Sequence, residues 1–599
     1  MKLSRRVLWL LLVMLVSAPL FGTTWFVRPD GGTRYSGKVT SGQCDGKTDA
    51  PYGGKGANQH CAYNDFRYLW DDDSGGVGQG AWVIAGGDTV IVSGCKALPS
   101  QQHPSNPDCR VGWDMSTGNA PNRWCYGVGS YGCFNPPIPA GSASQHTRIL
   151  GQNYASCNTG GATNPKLYAS NLTQIFGGFS VLYTLNLKST SYVDIQCLEI
   201  TSHNGVCTRV GAPAYPRGCA SSQPVDDYAT SGILTNNASS NITMQDVYIH
   251  GFNATGLFGP IGGPITMTRM FVGFNTFAGW NFDDGHSTPD APGSSITANH
   301  VIMEGNGCQE QYPITNAFPA MVCYDSDHAG FGDSWSGQNT TLDSMYCNDC
   351  QDLYNTKDGF IGPHTWITNL TITNSTSIGN MGQNWKWGGK SVPVTVTFTN
   401  NLTVGNCNRM SQPLPGAPAN YNQHLTLFCR ASGMVLGSAI PAGSTWTIAN
   451  NTWVTYQPTS FYIACPGAGP CPSTVNITNN IFLGYTNPSQ PSFSGEGPAL
   501  YYMNDPSIKK VTSNNVEFGM RNGDCPKGGT GNICLDPQFV GEPANRTLPA
   551  ESALDNFNFH PTSSSPANGR GIAVSGVTTD YHGSARPNPP SIGAVEPSR

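Results

Sequence analysis

The fold is decided by four stretches: Tyr192-Val-Asp-Ile-Gln-Cys-Leu-Glu-Ile200, Asn241-Ile-Thr-Met-Gln-Asp-Val-Tyr-Ile249, Trp366-Ile-Thr-Asn-Leu-Thr-Ile-Thr-Asn374 and Val475-Asn-Ile-Thr-Asn-Asn-Ile-Phe482. Each joins a short alternating strand to an Asn-rich corner and a second short strand. Alternation marks strands, because successive side chains leave a strand on opposite sides. Matching apolar positions recur at Ile242 and Ile265, 23 residues apart, and at Ile372 and Val396, 24 apart. A period near 23 with two or three short strands per unit indicates a solenoid of β turns, with longer intervals marking loop insertions.

The composition agrees with this geometry. Hydrophobic residues are 38% and charged residues 11% of the 599-residue chain, with 72 Gly. Each rung of a solenoid needs few inward residues, Asn can stack in hydrogen-bonded ladders at corners, and Gly tolerates the φ > 0 of tight bends. Helical bundles and coiled coils are excluded by the shortage of charge. Lys and Arg number 31 against 37 Asp and Glu, so there is no basic footprint for nucleic acid.

Residues 1–23 read as a secretory leader: Lys2, Arg5 and Arg6, then an apolar run from Val7 to Val16, then Ala18, Pro19 and Gly22. The run is too short for a stable membrane span. Twenty Cys in an exported chain read as disulfides, with Cys465–Cys471 and Cys525–Cys534 the most local pairings. Cys347-Asn348-Asp349-Cys350 has CxxC spacing without the second pair that a zinc site needs. Residues 24–189 form an N-terminal cap, first turns and disulfide-rich loops. Within them Thr24–Val27 is an expected strand, Gly86–Val92 a turn and strand, Pro29–Gly32 a turn, and Asn64–Trp70 an amphipathic helix capped by Asn64. Residues 190–520 carry the solenoid and 521–599 close it, with Asp536 and Arg586 structural. The Asn-x-Ser/Thr triplets at Asn241, Asn369, Asn374, Asn401 and Asn476 are read as corner residues rather than glycan acceptors.

Laying the apolar patterns of neighbouring repeats over each other places Asp333, Asp352 and Lys386 in one column, with Asn348 and Asp349 at the bend before Asp352. Carboxylate and amide oxygens at this density suit calcium, and a lysine beside such an ion has a lowered pKa that suits a general base. The run from Asn348 to Tyr354, followed one turn later by Trp385-Lys386-Trp387-Gly388-Gly389, resembles the active-site run of polysaccharide lyase family nine. The first of that family's paired Asp is Asn348 here, and its Gly and Phe are Cys350 and Gln351. The closing segment, from Leu535 to Glu596, resembles those of exported bacterial β-helix proteins.

The lyase resemblance implies a right-handed parallel β-helix, all-β, carrying a calcium-dependent lyase. Ca²⁺ would be held by Asp333, Asn348, Asp349 and Asp352, and Lys386 would take the C5 proton of a uronic acid. Trp335, Trp385 and Trp387 could stack on sugar rings or fill the core, and Lys390 joins them as a substrate-binding residue. The expected substrate is an acidic polysaccharide, pectate or polygalacturonate first, acted on by a secreted, periplasmic or cell-surface monomer. A non-catalytic surface or glycan-binding β-helix is the alternative. A glycoside hydrolase using Asp283-Asp284-Gly285-His286 is the third reading, while Asp325, Asp327 and His328 read as loop residues.

Overall fold

The structure is a computed structural model that describes residues 22–69, 82–94, 111–113, 126–129, 132–134, 136–177, 182–201, 229–252, 254–275, 277–282, 293–309, 322–323, 333–336, 340–353, 355, 359, 365–380, 384–387, 393–406, 434–436, 442–455, 461–463, 470, 472–484, 502–503, 506–519, 529–542 and 558–597. Residues 1–21 of the leader, Asp283–His286, Asp325–His328, Lys390, Cys465, Cys471 and Cys525 lie outside the described residues.

Almost all described pairings are parallel, and each strand pairs with the equivalent strand one turn later. The chain is therefore a parallel β-helix. Strands such as Ser191–Thr201, Ser240–His250, Pro264–Gly273 and Ser295–Glu304 run along a first face, bend at one residue and continue on a second face. The third face carries Tyr183–Asn186, Ser231–Leu234, Thr255–Phe258, Ala278–Asn281 and Asp333–Ser336 in one sheet, and Trp385–Trp387, Met434–Leu436, Phe461–Ile463 and Tyr502–Met503 in another.

Inward positions stack in register through successive turns. On the first face Val193, Ile242, Ile265, Ile296, Met345, Leu370, Val396, Trp446 and Val475 follow one another. The expected 23-residue interval from Ile242 to Ile265 is thus the true register. Val396, however, pairs with Leu370 rather than Ile372. That interval is 26, and a two-residue slip escapes the sequence because it preserves the alternation.

Both bends of the coil are held by side-chain amides. At the first corner the inward ladder runs Ser375, Asn401, Asn451, Asn480, Asn515, Asn532. Each Oδ1 accepts the backbone N–H of the preceding rung at 2.9–3.0 Å. Each Nδ2 of Asn401, Asn451 and Asn480 donates onward to the next Oδ1. At the second corner Asn275, Asn306, Asn355 and Asn380 repeat the device. Apart from the half-buried Asn532 at the end of the ladder, these side chains are wholly buried. A buried bend leaves backbone groups out of the strand ladder, and the amides satisfy them.

Of the five Asn-x-Ser/Thr residues, Asn374 and Asn401 do sit at the first corner. Asn241, Asn369 and Asn476 lie on strands instead. Strand Thr24–Gly32 absorbs the expected turn at Pro29–Gly32. The expected helix is a single 3-10 turn, Phe66–Leu69, whose Phe66 and Leu69 pack with Trp25, Tyr63 and Ile84. Among the described residues, disulfides join Cys44–Cys61, Cys157–Cys197 and Cys347–Cys350, and Cys534 is also disulfide-bonded. Cys347 and Cys350 bridge across the first corner, which removes them as metal thiolates.

Replacing Asn451 by Ala strands Asn401 N and Nδ2 on one side and the Phe398 carbonyl on the other, while Asn480 Oδ1 keeps the backbone N–H of residue 451. We expect a loss of about 3 kcal/mol in urea unfolding, summed over buried groups left without partners. An Asn→Ala change at the exposed Asn369 should leave the midpoint unchanged.

Candidate functional site

The outer position of the first corner adopts the left-handed backbone in turn after turn. Cys197, Asp246, Arg269, His300, Asp349, Asn374, Asn400, Asn450, Asn479 and Asn514 all have φ between 50° and 57°. Asn and Asp tolerate this conformation best. The register of the flanking strands stacks these residues into one column on the outside of the coil.

Two segments cover the column from its two ends. Residues 152–172 form a flap tied down by Cys157–Cys197 and by Tyr168, whose hydroxyl donates to Asp246 Oδ1 at 2.8 Å. Lys166 reaches Glu304 Oε1 at 3.4 Å and lies over the rings of Phe271 and Phe274. From the other end residues 558–597 run back along the coil. Asn514, Asn479 and Asn400 donate to the carbonyls of Arg570, Ile572 and Thr579. Tyr581 Oη meets Thr376 Oγ1 at 2.6 Å. Arg586 binds Glu596 Oε1, Asn400 Oδ1 and the carbonyls of Gly593 and Ala594, so its structural role is confirmed.

Between flap and tail lie the turns of Arg269, His300 and Asp349. The flap walls one side of an open cavity of about 380 Å³, lined by Tyr154, Asn158, Gln196, Gln245, Asp246, Arg269 and His300 among others. Arg269 Nε and Nη2 hold Asp246 at 2.6 and 2.9 Å, and Gln245 Nε2 donates to Asp246 Oδ2 at 3.0 Å. Burial alone would raise the Asp246 pKa. Hydrogen bonds from Arg269, Gln245 and Tyr168 outweigh it and hold the carboxyl below the usual carboxylate range. The hydrogen bonds that Arg269 donates to Asp246 raise the guanidinium's pKa, against burial. Burial, with Asp246 behind it, pushes the Tyr168 phenol well above its ordinary value. In the next two turns His300 Nδ1 meets Asp349 Oδ2 at 2.5 Å, with both side chains about one-third exposed.

No family model and no curated protein matches the chain. Among solved structures it is similar to the crystal structure of pectate lyase Pel9A. The likeness covers 86% of this chain and 89% of that one, at 13% identity and a TM-score of 0.38, and carries no argument about this chain's chemistry.

The expected calcium column does not assemble. Asp352 stands between Met303 and Ser377 on the second face, at an inward position and 1% exposed. Asp333 stands beside Ala278 on the third face, on a different sheet. Asn348 Oδ1 accepts from Asn374 Nδ2 at 2.8 Å, inside the stack of corner amides. Asp349 turns outward to His300. The side chains of Asn348, Asp349 and Asp352 do not point to a common ion. The misreading has a physical origin: all three faces carry short alternating strands, and alternation alone does not say which face a strand occupies.

The tryptophans divide similarly. Trp335 and Trp385 are wholly buried in the core, where Trp335 stacks with Trp280 and Trp385 Nε1 donates to Thr403 Oγ1 at 2.7 Å. They are not sugar platforms. The backbone of Lys386 and Trp387 lies in the third-face strand, in register with Val435 and Leu436.

Gln196, Gln245, Asp246, Arg269 and His300 were not expected as site residues. One signal could have found them. Asp246 and Arg269 are 23 residues apart, the interval that already linked Ile242 to Ile265, so carrying the period from strand to corner stacks them.

Asp246 binds its proton less readily folded than unfolded, so its stabilisation is present above the ordinary carboxylate range and is lost as pH falls through and below it. The acid limb of a Tm–pH curve should therefore flatten in Asp246→Asn. That variant should also lose about 2 kcal/mol at neutral pH, the scale of hydrogen bonds to a charged group. An unchanged acid limb would show that the flap anchor does not titrate.

Proposed function

We propose that this β-helix is an exported protein that acts on an acidic polysaccharide, cleaving it by β-elimination with Lys386 as the proton acceptor. The supporting observation is the run Trp385-Lys386-Trp387-Gly388-Gly389, in which the backbone of Lys386 lies in the third-face strand beside the fully buried Trp385. The pairing of disulfides in the described chain accords with export.

In the proposed reaction the C5–H bond of a uronate breaks and its proton passes to the Lys386 amine. The electron pair forms the C4–C5 double bond, and the C4 oxygen departs and is protonated by solvent. A lysine serves as such a base when its neutral form is populated near working pH. The sequence resemblance also implies Ca²⁺, which would neutralise the uronate carboxylate; its ligands would have to be other than Asn348, Asp349 and Asp352.

Incubation with polygalacturonate should produce the ultraviolet absorbance of an unsaturated sugar end. Lys386→Ala should lower the rate about a thousandfold, the scale of general-base catalysis, and chelation followed by Ca²⁺ addition tests the ion directly. Full activity in Lys386→Ala would overturn the base assignment. The second reading, a glycan-binding β-helix without cleavage, is favoured by the failure of the expected ligands to converge. Saturable polygalacturonate binding with no ultraviolet product would establish it.

A further inference from the structure

We propose that the cavity beside the flap at the first corner is a binding site for a neutral, hydroxyl-rich sugar. It is separate from the third face and does not depend on the lyase reading.

The argument rests on how the polar groups are held. Each is fixed by one partner and keeps another atom unused among the described residues. Arg269 spends Nε and Nη2 on Asp246 and keeps Nη1. His300 spends Nδ1 on Asp349 Oδ2 and keeps Nε2. Gln245 and Gln196 spend Nε2 on Asp246 Oδ2 and on the carbonyl of Tyr154, and keep Oε1. Asp349 keeps Oδ1. A donor and several acceptors are thus oriented in advance, which lowers the ordering cost of binding. Successive turns space them at roughly 4.8 Å, a spacing that matches hydroxyls along a sugar ring and the next. The cavity of about 380 Å³ falls within the range of small-ligand sites.

The charge pattern selects the ligand class. Asp246 is matched by Arg269, and Asp349 stands beside His300 at the open edge. A uronate or phosphate would gain Arg269 Nη1 but would meet the Asp349 carboxylate, whereas hydroxyls can both donate to the acceptors and accept from Nη1. The flap supplies a further polar wall at Asn158 and Thr163 and an aromatic edge at Tyr154.

The test is native affinity electrophoresis of the full chain in gels containing a soluble galactan, arabinan, xyloglucan or β-glucan, with polygalacturonate as the acidic comparison. At least one neutral polymer should retard the wild type. His300→Ala and Gln245→Ala should each weaken that retardation about tenfold in apparent Kd, the effect of losing one oriented hydrogen bond. Retardation by polygalacturonate should be unaffected. Gln196→Ala serves as the second variant if either of the others lowers Tm. Absence of retardation by every neutral polymer, or retardation that survives His300→Ala, Gln245→Ala and Gln196→Ala, would overturn the proposal. So would loss of polygalacturonate retardation alone.

Discussion

The constraint on which the structure depends is that a chain coiling through parallel strands must bend inside its own core. A strand pays no hydrogen-bond penalty while it is paired with the next turn, but the bend interrupts the ladder where no water can reach. Here the interruption is repaired by a carboxamide, which can accept and donate at once. Stacked asparagines therefore pass the bond from rung to rung: Asn401 to Asn451 to Asn480 to Asn515 at one corner, Asn275 to Asn306 to Asn355 to Asn380 at the other. The low apolar content follows, because part of the core is amide rather than hydrocarbon.

The same corner creates the candidate site. A residue one position outside the amide ladder is forced to positive φ and projects away from the coil. In the later turns this position is Asn, and its side chain is taken up by the returning tail. In earlier turns it is Asp246, Arg269, His300 and Asp349; the tail comes within electrostatic range of Asp349 through Tyr581, while the flap covers Asp246. A structural position has been given over to charged side chains where that uptake stops. The flap then fixes the first of them through Tyr168 and the Cys157–Cys197 bridge.

The coil itself was legible because its two signals, alternation and a period near 23, are local and repeated. Ile242 and Ile265 alone gave a correct rung. The candidate column was not legible for the opposite reason. Asp333 and Asp352 follow equally good alternating patterns, yet one lies on the third face and the other on the second. Nothing in a short strand encodes which face it occupies; that depends on where the preceding corner falls, and insertions such as the one between Gln309 and Asp333 hide the corner. Trp335 and Trp385 were ambiguous in sequence because a large aromatic suits both a core stack and a sugar platform. Burial decides it. The pairing of His300 with Asp349 was out of reach of pattern reasoning, since 49 residues separate them, about twice the period of the repeat.

The tail has a consequence for how the coil comes apart. In a solenoid each turn touches only its neighbours, so stability is shared locally and ends can fray independently. Contacts from Thr376 to Tyr581, Asn400 to Arg586 and Asn514 to Arg570 span 205, 186 and 56 residues. They work like a splint along a stack of coins. No single turn between Thr376 and Asn514 can leave the stack without the splint letting go of the others. A fold that is one-dimensional by construction is thereby given an all-or-none melting block over its later half.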